Sequence, residues 1–187
     1  GCLWDYVCRD PDATKPVWEK PKFLGWGAVP NPPTVLKDGT WIIPIEVEGG
    51  VSDDCFPELV PLRRCGALRS RDGGKTWERG ASVKVKGTDY VIEHCIVERA
   101  DGSLWMLMRS DLGIHEAFSS DGGMTWSEAR KATWIDNPIS RFSFLKLRSG
   151  NLLLVKNGDS VTRCDGVHCR NKLKAYISKD DGKTWSA

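Results

Sequence analysis

Glu93 and His94 stand side by side in an otherwise apolar stretch, with Val91 and Ile92 before them and Cys95, Ile96 and Val97 after. Arg109 closes the next apolar run, Leu104 to Met108. If these runs are neighbouring antiparallel strands, Glu93 and Arg109 share one end of the sheet. Arg170 lies eight residues before Ser178, where a further strand gives way to a turn motif, and falls at the same end. A Glu and two Arg converging on one point would form a pocket for a carboxylate ligand, because the planar guanidinium grips a carboxylate with two parallel bonds. His94 and His115 flank this region and can bond hydroxyl groups or exchange protons near neutral pH. Arg141 is a further candidate for ligand contact, and Glu46, at the end of another apolar strand, is a candidate acid.

Internal repeats dictate what must position these residues. The octet Ser70-Arg71-Asp72-Gly73-Gly74-Lys75-Thr76-Trp77 recurs at 119–126 and at 178–185 as Ser-x-Asp-x-Gly-x-Thr-Trp. Each copy reads as a hairpin turn. The carboxylate of Asp72, Asp121 or Asp180 accepts backbone N–H bonds, a Gly supplies positive φ, and Trp77, Trp126 or Trp185 covers the turn. Upstream of each box are two apolar strands joined by a short turn: Asp38-Gly39, Asp101-Gly102 and Ser149-Gly150. Turn and box together give four strands per repeat, here A, B, C and D, the pattern of a β-propeller blade. No segment carries a helical period. The expected fold is therefore all-β, a propeller of four-stranded antiparallel blades, with repeats at about 26–80, 86–130 and 134–187. Residues 1–25 form the tail of a preceding blade, since Trp18 to Gly25 resembles the stretch after the second box.

In such a blade the A–B turns and boxes share one face. The D–A connections and B–C loops share the other, so residues 26–33, 86–94 and 134–142 and the loops 46–66, 109–115 and 157–171 make the functional face. Three blades are fewer than the roughly 4 to 8 that close a ring. The sequence therefore reads as the central part of a longer, six-bladed propeller, the alternative being a half-ring that closes as a homodimer.

The net charge of +2 offers no field for nucleic acid or an anionic membrane. The longest apolar run, Leu104 to Met108, is far too short to span a bilayer. Seven cysteines suggest an exported protein, secreted, periplasmic or on the cell surface. Cys55/Cys65 and Cys164/Cys169 are read as disulfides that pin the long loops, and Cys95 as a buried thiol. Cys164-Asp165-Gly166-Val167-His168-Cys169 can alternatively be read as half a zinc site, but no second ligand pair matches it. No metal or other cofactor is expected.

The boxes, together with Glu93-x-Cys95-Ile96-Val97-Glu98-Arg99-Ala100-Asp101-Gly102-Ser103-Leu104 and the following Arg109, resemble the sialidase (neuraminidase) superfamily of six-bladed Asp-box propellers. The resemblance spans roughly residues 18–187. It implies an exo-glycosidase of the retaining kind that uses a Tyr nucleophile in place of a second carboxylate. It also implies a glycan or acidic sugar as the ligand. Glu93 would be the base acting on that Tyr, and Arg109 and Arg170 would clamp the sugar's carboxylate. Trp26, Trp134 and Phe142 are candidates for stacking on sugar rings. Three parts have no match. Asn31-Pro32-Pro33-Thr34 stands where the family carries Arg-Ile-Pro, the acid Asp is not identifiable, and Tyr90 lies in the wrong blade to be the nucleophile. The 187-residue chain alone is therefore expected to be inactive. The alternative function is a non-catalytic Asp-box propeller that binds glycans or protein partners.

Overall fold

The computed structural model describes residues 1–47, 57–136, 139–158, 163–164, 167–168, 170 and 172–187. All regular structure among them is β apart from one short 3-10 turn, Pro57–Leu62. That turn interrupts the 46–66 connection, a segment without a helical period.

A leading hairpin pairs β1 (Cys2–Asp5) with β2 (Lys22–Trp26). The stretch expected to close a preceding blade contains β2, and β1 is a partner that no sequence pattern reveals. The first repeat forms a meander of β3 (Thr34–Val35), β4 (Trp41–Val47), β5 (Arg64–Ser70) and β6 (Glu78–Arg79). The second does the same with β7 (Val91–Glu98), β8 (Leu104–Ser110), β9 (Gly113–Ser119) and β10 (Arg130–Lys131). In the third, β11 (Ser143–Lys146) and β12 (Leu152–Lys156) pair with β15 (Lys174–Ser178). A small hairpin of β13 (Arg163–Cys164) and β14 (Val167–His168) lies between β12 and β15, and Ile177 bridges Ser186 where a fourth strand is expected. The first two repeats thus run A, B, C, D in consecutive antiparallel order, and the third runs A, B, C with a single bridge in place of D.

The sheets stack face to face, so the middle one is buried on both sides. Met106 and Met108 of β8 join Ile42, Ala67 and Val83 in the seam towards the first sheet. Their neighbours Trp105 and Leu107 point the other way, into the seam with Phe144, Leu152 and Leu154 of the third. This double burial explains why β8 reads as an unbroken apolar run instead of an alternating one.

The boxes fold as read. Asp121 Oδ1 accepts the Thr125 and Met124 amides at 2.9 and 3.0 Å, and Oδ2 accepts the Thr125 hydroxyl at 2.6 Å. The Ser119 hydroxyl donates to Asp121 and accepts the Gly123 amide at 2.9 Å. The same bonds recur at Ser70, Asp72 and Thr76 and at Ser178, Asp180 and Thr184. The threonine hydroxyl, followed by its amide, holds Asp121 and Asp180 down at about 2 and Asp72 lower still. Each box tryptophan packs into the seam with the preceding layer: Trp77 against the leading hairpin's Leu3 cluster, Trp126 between the first and second sheets, and Trp185 between the second and third. The boxes also bond across those seams. The Arg69 guanidinium donates to the Asp121 carbonyl at 2.8 Å, and Asp181 accepts the Ala100 amide at 3.0 Å. The motif fastens one sheet to the next as well as closing its own hairpin.

Candidate functional site

Opposite the boxes, the register of β7 against β8 slips between Ile92, which faces Arg109, and Cys95, which faces Leu107. Glu93 and His94 form the resulting β-bulge, and Glu93 takes φ 52°, a left-handed conformation costly for a residue with a β-carbon. Bulges re-aim side chains, and this one sends its two residues to different places.

Glu93 turns towards β8, where its Oε2 accepts Arg109 Nη1 at 2.5 Å. The Arg109 side chain is 9% exposed and that of Glu93 23%, so the pair forms a charged floor open to water only on the Glu93 side. Arg109 also donates to the Ile139 carbonyl at 3.5 Å, and its guanidinium lies 5.7 Å from the Tyr90 ring centre. His94 goes inward and is wholly buried, with Nε2 2.8 Å from the Gly66 carbonyl of β5.

Two residues from the first sheet hold the bulge. Glu46, at the end of β4, is buried and accepts the Glu93 amide on Oε2 at 2.5 Å. The same oxygen is 3.8 Å from His94 Nδ1. Gly27 permits the chain to cross here: it has φ 137°, and a β-carbon on it would lie 2.7 Å from the Glu46 carbonyl. Asn31 donates from Nδ2 to the carbonyls of Glu93 and His94 at 3.2 and 2.8 Å. Arg141 reaches the same spot, bonding the Pro30 carbonyl and, at 3.1 Å, Asn31 Oδ1. Glu46, Glu93, His94, Arg109 and Arg141 therefore form one connected network at the expected end of the sheets.

Of the other candidates, His115, Phe142 and Trp134 have partners of their own. His115 bonds Ser110 Oγ at 3.2 Å at the β8–β9 turn, and burial pushes its pKa down so that the ring is neutral at physiological pH. Arg170 is exposed, and residues 169 and 171 beside it lie outside the described residues, as do 48–56 and 159–162 of the long loops. Phe142 is a core residue, 2% exposed, and Trp134 stacks on Trp185 at 5.4 Å; these contacts are packing contacts. Trp26 remains partly open at the rim.

The cysteine reading needs correction. Cys65 is a buried thiol near the start of β5, at hydrogen-bond distance from the Val91 carbonyl, and is not a loop anchor; Cys2 and Cys8 are likewise free. Burial, reinforced by the Glu46 charge, drives the Cys65 thiol well above its ordinary pKa, and burial pushes Cys95 to about 11. Cys55 and Cys169 lie outside the described residues. Sequence reasoning also missed Asn31 as a holder of the bulge. The one available signal was its place on the functional face beside two prolines that stiffen the segment.

A family model described as a BNR repeat-like domain matches residues 12–187. A sialidase of Bacteroides fragilis is 26% identical over 156 residues, covering 81% of this chain and 26% of that protein. The chain thus spans about a quarter of the length of that curated relative. Among solved structures, the intramolecular trans-sialidase of Ruminococcus gnavus superposes with a TM-score of 0.66 at 20% identity, over 97% of this chain and 39% of that one. The leech intramolecular trans-sialidase gives 0.67 at 19%, over 97% and 28%. Trypanosoma rangeli sialidase gives 0.59 at 18%, over 95% and 30%. At these identities the likeness is one of fold.

Proposed function

The chain belongs to the BNR repeat-like domain family, and from that premise we propose that it supplies part of the active face of a sialidase-like exo-glycoside hydrolase. The substrate is a terminal sialic acid or related acidic sugar of glycoconjugates. The four-stranded sheets are consecutive blades of a six-bladed propeller, and the protein works outside the cytoplasm. The observation that carries the reading is the Glu93–Arg109 pair, open to water on the Glu93 side at the bulge end of the sheets.

A sialic acid presents its own carboxylate, so a neutral phenol is a better nucleophile than a carboxylate that would repel it. The phenol's ordinary pKa of about 10 then requires a nearby base. Glu93 is that base, held by Arg109 and by the Glu46 bond to its amide. Arg109 has donors to spare beyond Glu93 and clamps the sugar carboxylate, with Arg170 as its partner. Arg141, docked on Asn31, brings a further cation to the place where the family's Arg-Ile-Pro motif would carry one. The nucleophile and the acid are not assigned to residues of this chain. Two of the similar structures hold ligands of this kind, oseltamivir carboxylate in the Ruminococcus gnavus protein and 2,7-anhydro-Neu5Ac in the leech protein.

A second reading, glycan binding without turnover, is favoured by Asn31, whose amide group is taken up by the bulge carbonyls and Arg141. Both readings predict selective binding of an acidic sugar. Calorimetric titration with sialic acid and with a neutral hexose tests them together: binding of the first alone, weakened at least tenfold by Arg109→Met, is expected. Equal binding of both sugars, or indifference to Arg109→Met, contradicts the site.

A further inference from the structure

Behind the Glu93–Arg109 pair lies a second cluster, of which the hydrolase reading uses only Glu46, as the acceptor of the Glu93 amide. Glu46 from β4, Cys65 from β5 and His94 from β7 each offer one ligand atom, and the three atoms lie within 4.8 Å of one another. Cys65 and His94 are completely buried, and the Glu46 side chain is 9% exposed. Because His94 Nε2 faces the Gly66 carbonyl at 2.8 Å, that nitrogen must carry the proton in the neutral ring. Nδ1 is then the bare lone pair. It is buried, has no hydrogen-bond partner, and points to a carboxylate oxygen 3.8 Å away. Two electron-rich atoms face each other with no donor between them. A cation between them turns this repulsion into attraction.

We propose that Glu46, Cys65 and His94 bind a zinc ion. Thiolate, imidazole and carboxylate are the three donor types that zinc takes, with bonds of about 2.0 to 2.3 Å in a tetrahedron and water in a fourth position. Such bonds put ligand atoms about 3.4 to 3.6 Å apart. The His94–Glu46 separation of 3.8 Å is nearly there, and the remaining closure needs shifts of about an ångström. The surroundings supply the orienting bonds that metal ligands use: Gly66 fixes the His94 tautomer, and the Glu93 amide holds the Glu46 carboxylate. On binding, Cys65 loses its proton to solvent, and a dication with thiolate, carboxylate and neutral imidazole sums to zero charge, which suits a buried site. The ion ties the first sheet to the bulge of the second. The proposal is independent of the hydrolase reading.

Cobalt substitution tests it, in a Cys2→Ser/Cys8→Ser/Cys164→Ser/Cys169→Ser background that removes other close thiol pairs. The chelator-stripped protein should take one equivalent of Co2+ with a thiolate charge-transfer band that Zn2+ displaces. Cys65→Ser should abolish the band, and His94→Gln or Glu46→Gln should weaken binding at least tenfold. X-ray absorption of the zinc form should find one sulfur at about 2.3 Å with nitrogen and oxygen at about 2.0 to 2.2 Å. No charge-transfer band, a band that survives Cys65→Ser, or a shell with two or more sulfurs overturns the proposal. Should Cys65→Ser fail to fold, the cobalt spectrum and sulfur count of the background protein decide alone.

Discussion

Arg109→Met removes a guanidinium whose side chain is 9% exposed and whose partner, Glu93, is 23% exposed. Breaking a fully buried pair costs about 3–5 kcal/mol, whereas an exposed pair contributes about 0.2–1 kcal/mol. With one partner buried and the other a quarter open, the loss should be about 2 kcal/mol, including a few tenths from the Tyr90 ring contact. At about 2–4 °C per kcal/mol for a chain of this length, Tm should fall by about 4–8 °C. Glu93→Gln keeps an acceptor in place and should cost about 1 kcal/mol. The double variant should lose about 1 kcal/mol less than the two single losses combined, because Arg109→Met leaves Glu93 without its partner and Glu93→Gln leaves Arg109 without its counter-charge. Urea unfolding of the four proteins at low salt and in 1 M salt measures this coupling, which burial should shield from screening. A coupling below about 0.3 kcal/mol, or one that vanishes in 1 M salt, would refute the buried-floor description.

Three further outcomes follow from other parts of the fold. Gly80→Ala would place a β-carbon 2.0 Å from the Gly123 carbonyl, across the seam between the first sheet and the second box. It should cost about 3 kcal/mol, whereas Gly39→Ala, in open space at φ 86°, should cost about 1–2 kcal/mol from backbone strain alone; equal urea midpoints would contradict this. The box carboxylates sit below their unfolded value of about 3.9, with Asp121 and Asp180 at about 2. Their contribution is complete above that unfolded value and is lost as pH falls through the folded one. Stability should therefore drop between about pH 4 and pH 2, less steeply in Asp121→Asn; an unchanged slope would count against the box bonds. A thiol reagent should label Cys2 at once but reach Cys65 and Cys95 only on unfolding, since both are buried and their thiolates disfavoured; prompt labelling of either would be inconsistent with the strand positions.

Much of this architecture is legible in the sequence because its determinants are local. The Asp-Gly turns and the Ser-x-Asp-x-Gly-x-Thr-Trp boxes specify their own hairpins, and strand order follows from them. Glu93 and Arg109 meet as expected because two adjacent strands of one hairpin bring them together. The bulge at Glu93 and His94 was hidden, since the apolar residues on both sides continue the strand pattern and only the β8 register exposes the slip. Cys65 was misread for the opposite reason. Its spacing from Cys55 suggested a loop link, while its place among the buried residues of β5 makes it a core thiol near His94 and Glu46. Asn31 and Arg141 converge through a connection between residues 110 positions apart, which no local pattern encodes.

The central claim is that Glu93 and Arg109 act on an acidic sugar, and steady-state hydrolysis of a fluorogenic sialoside by the full-length protein tests it most directly. The account predicts release by the wild type, a kcat at least a hundredfold lower in Glu93→Gln with folding retained, and a KM at least tenfold higher in Arg109→Met. Wild-type turnover that persists undiminished in Glu93→Gln, or a full-length protein that binds the sialoside and releases nothing, would contradict it.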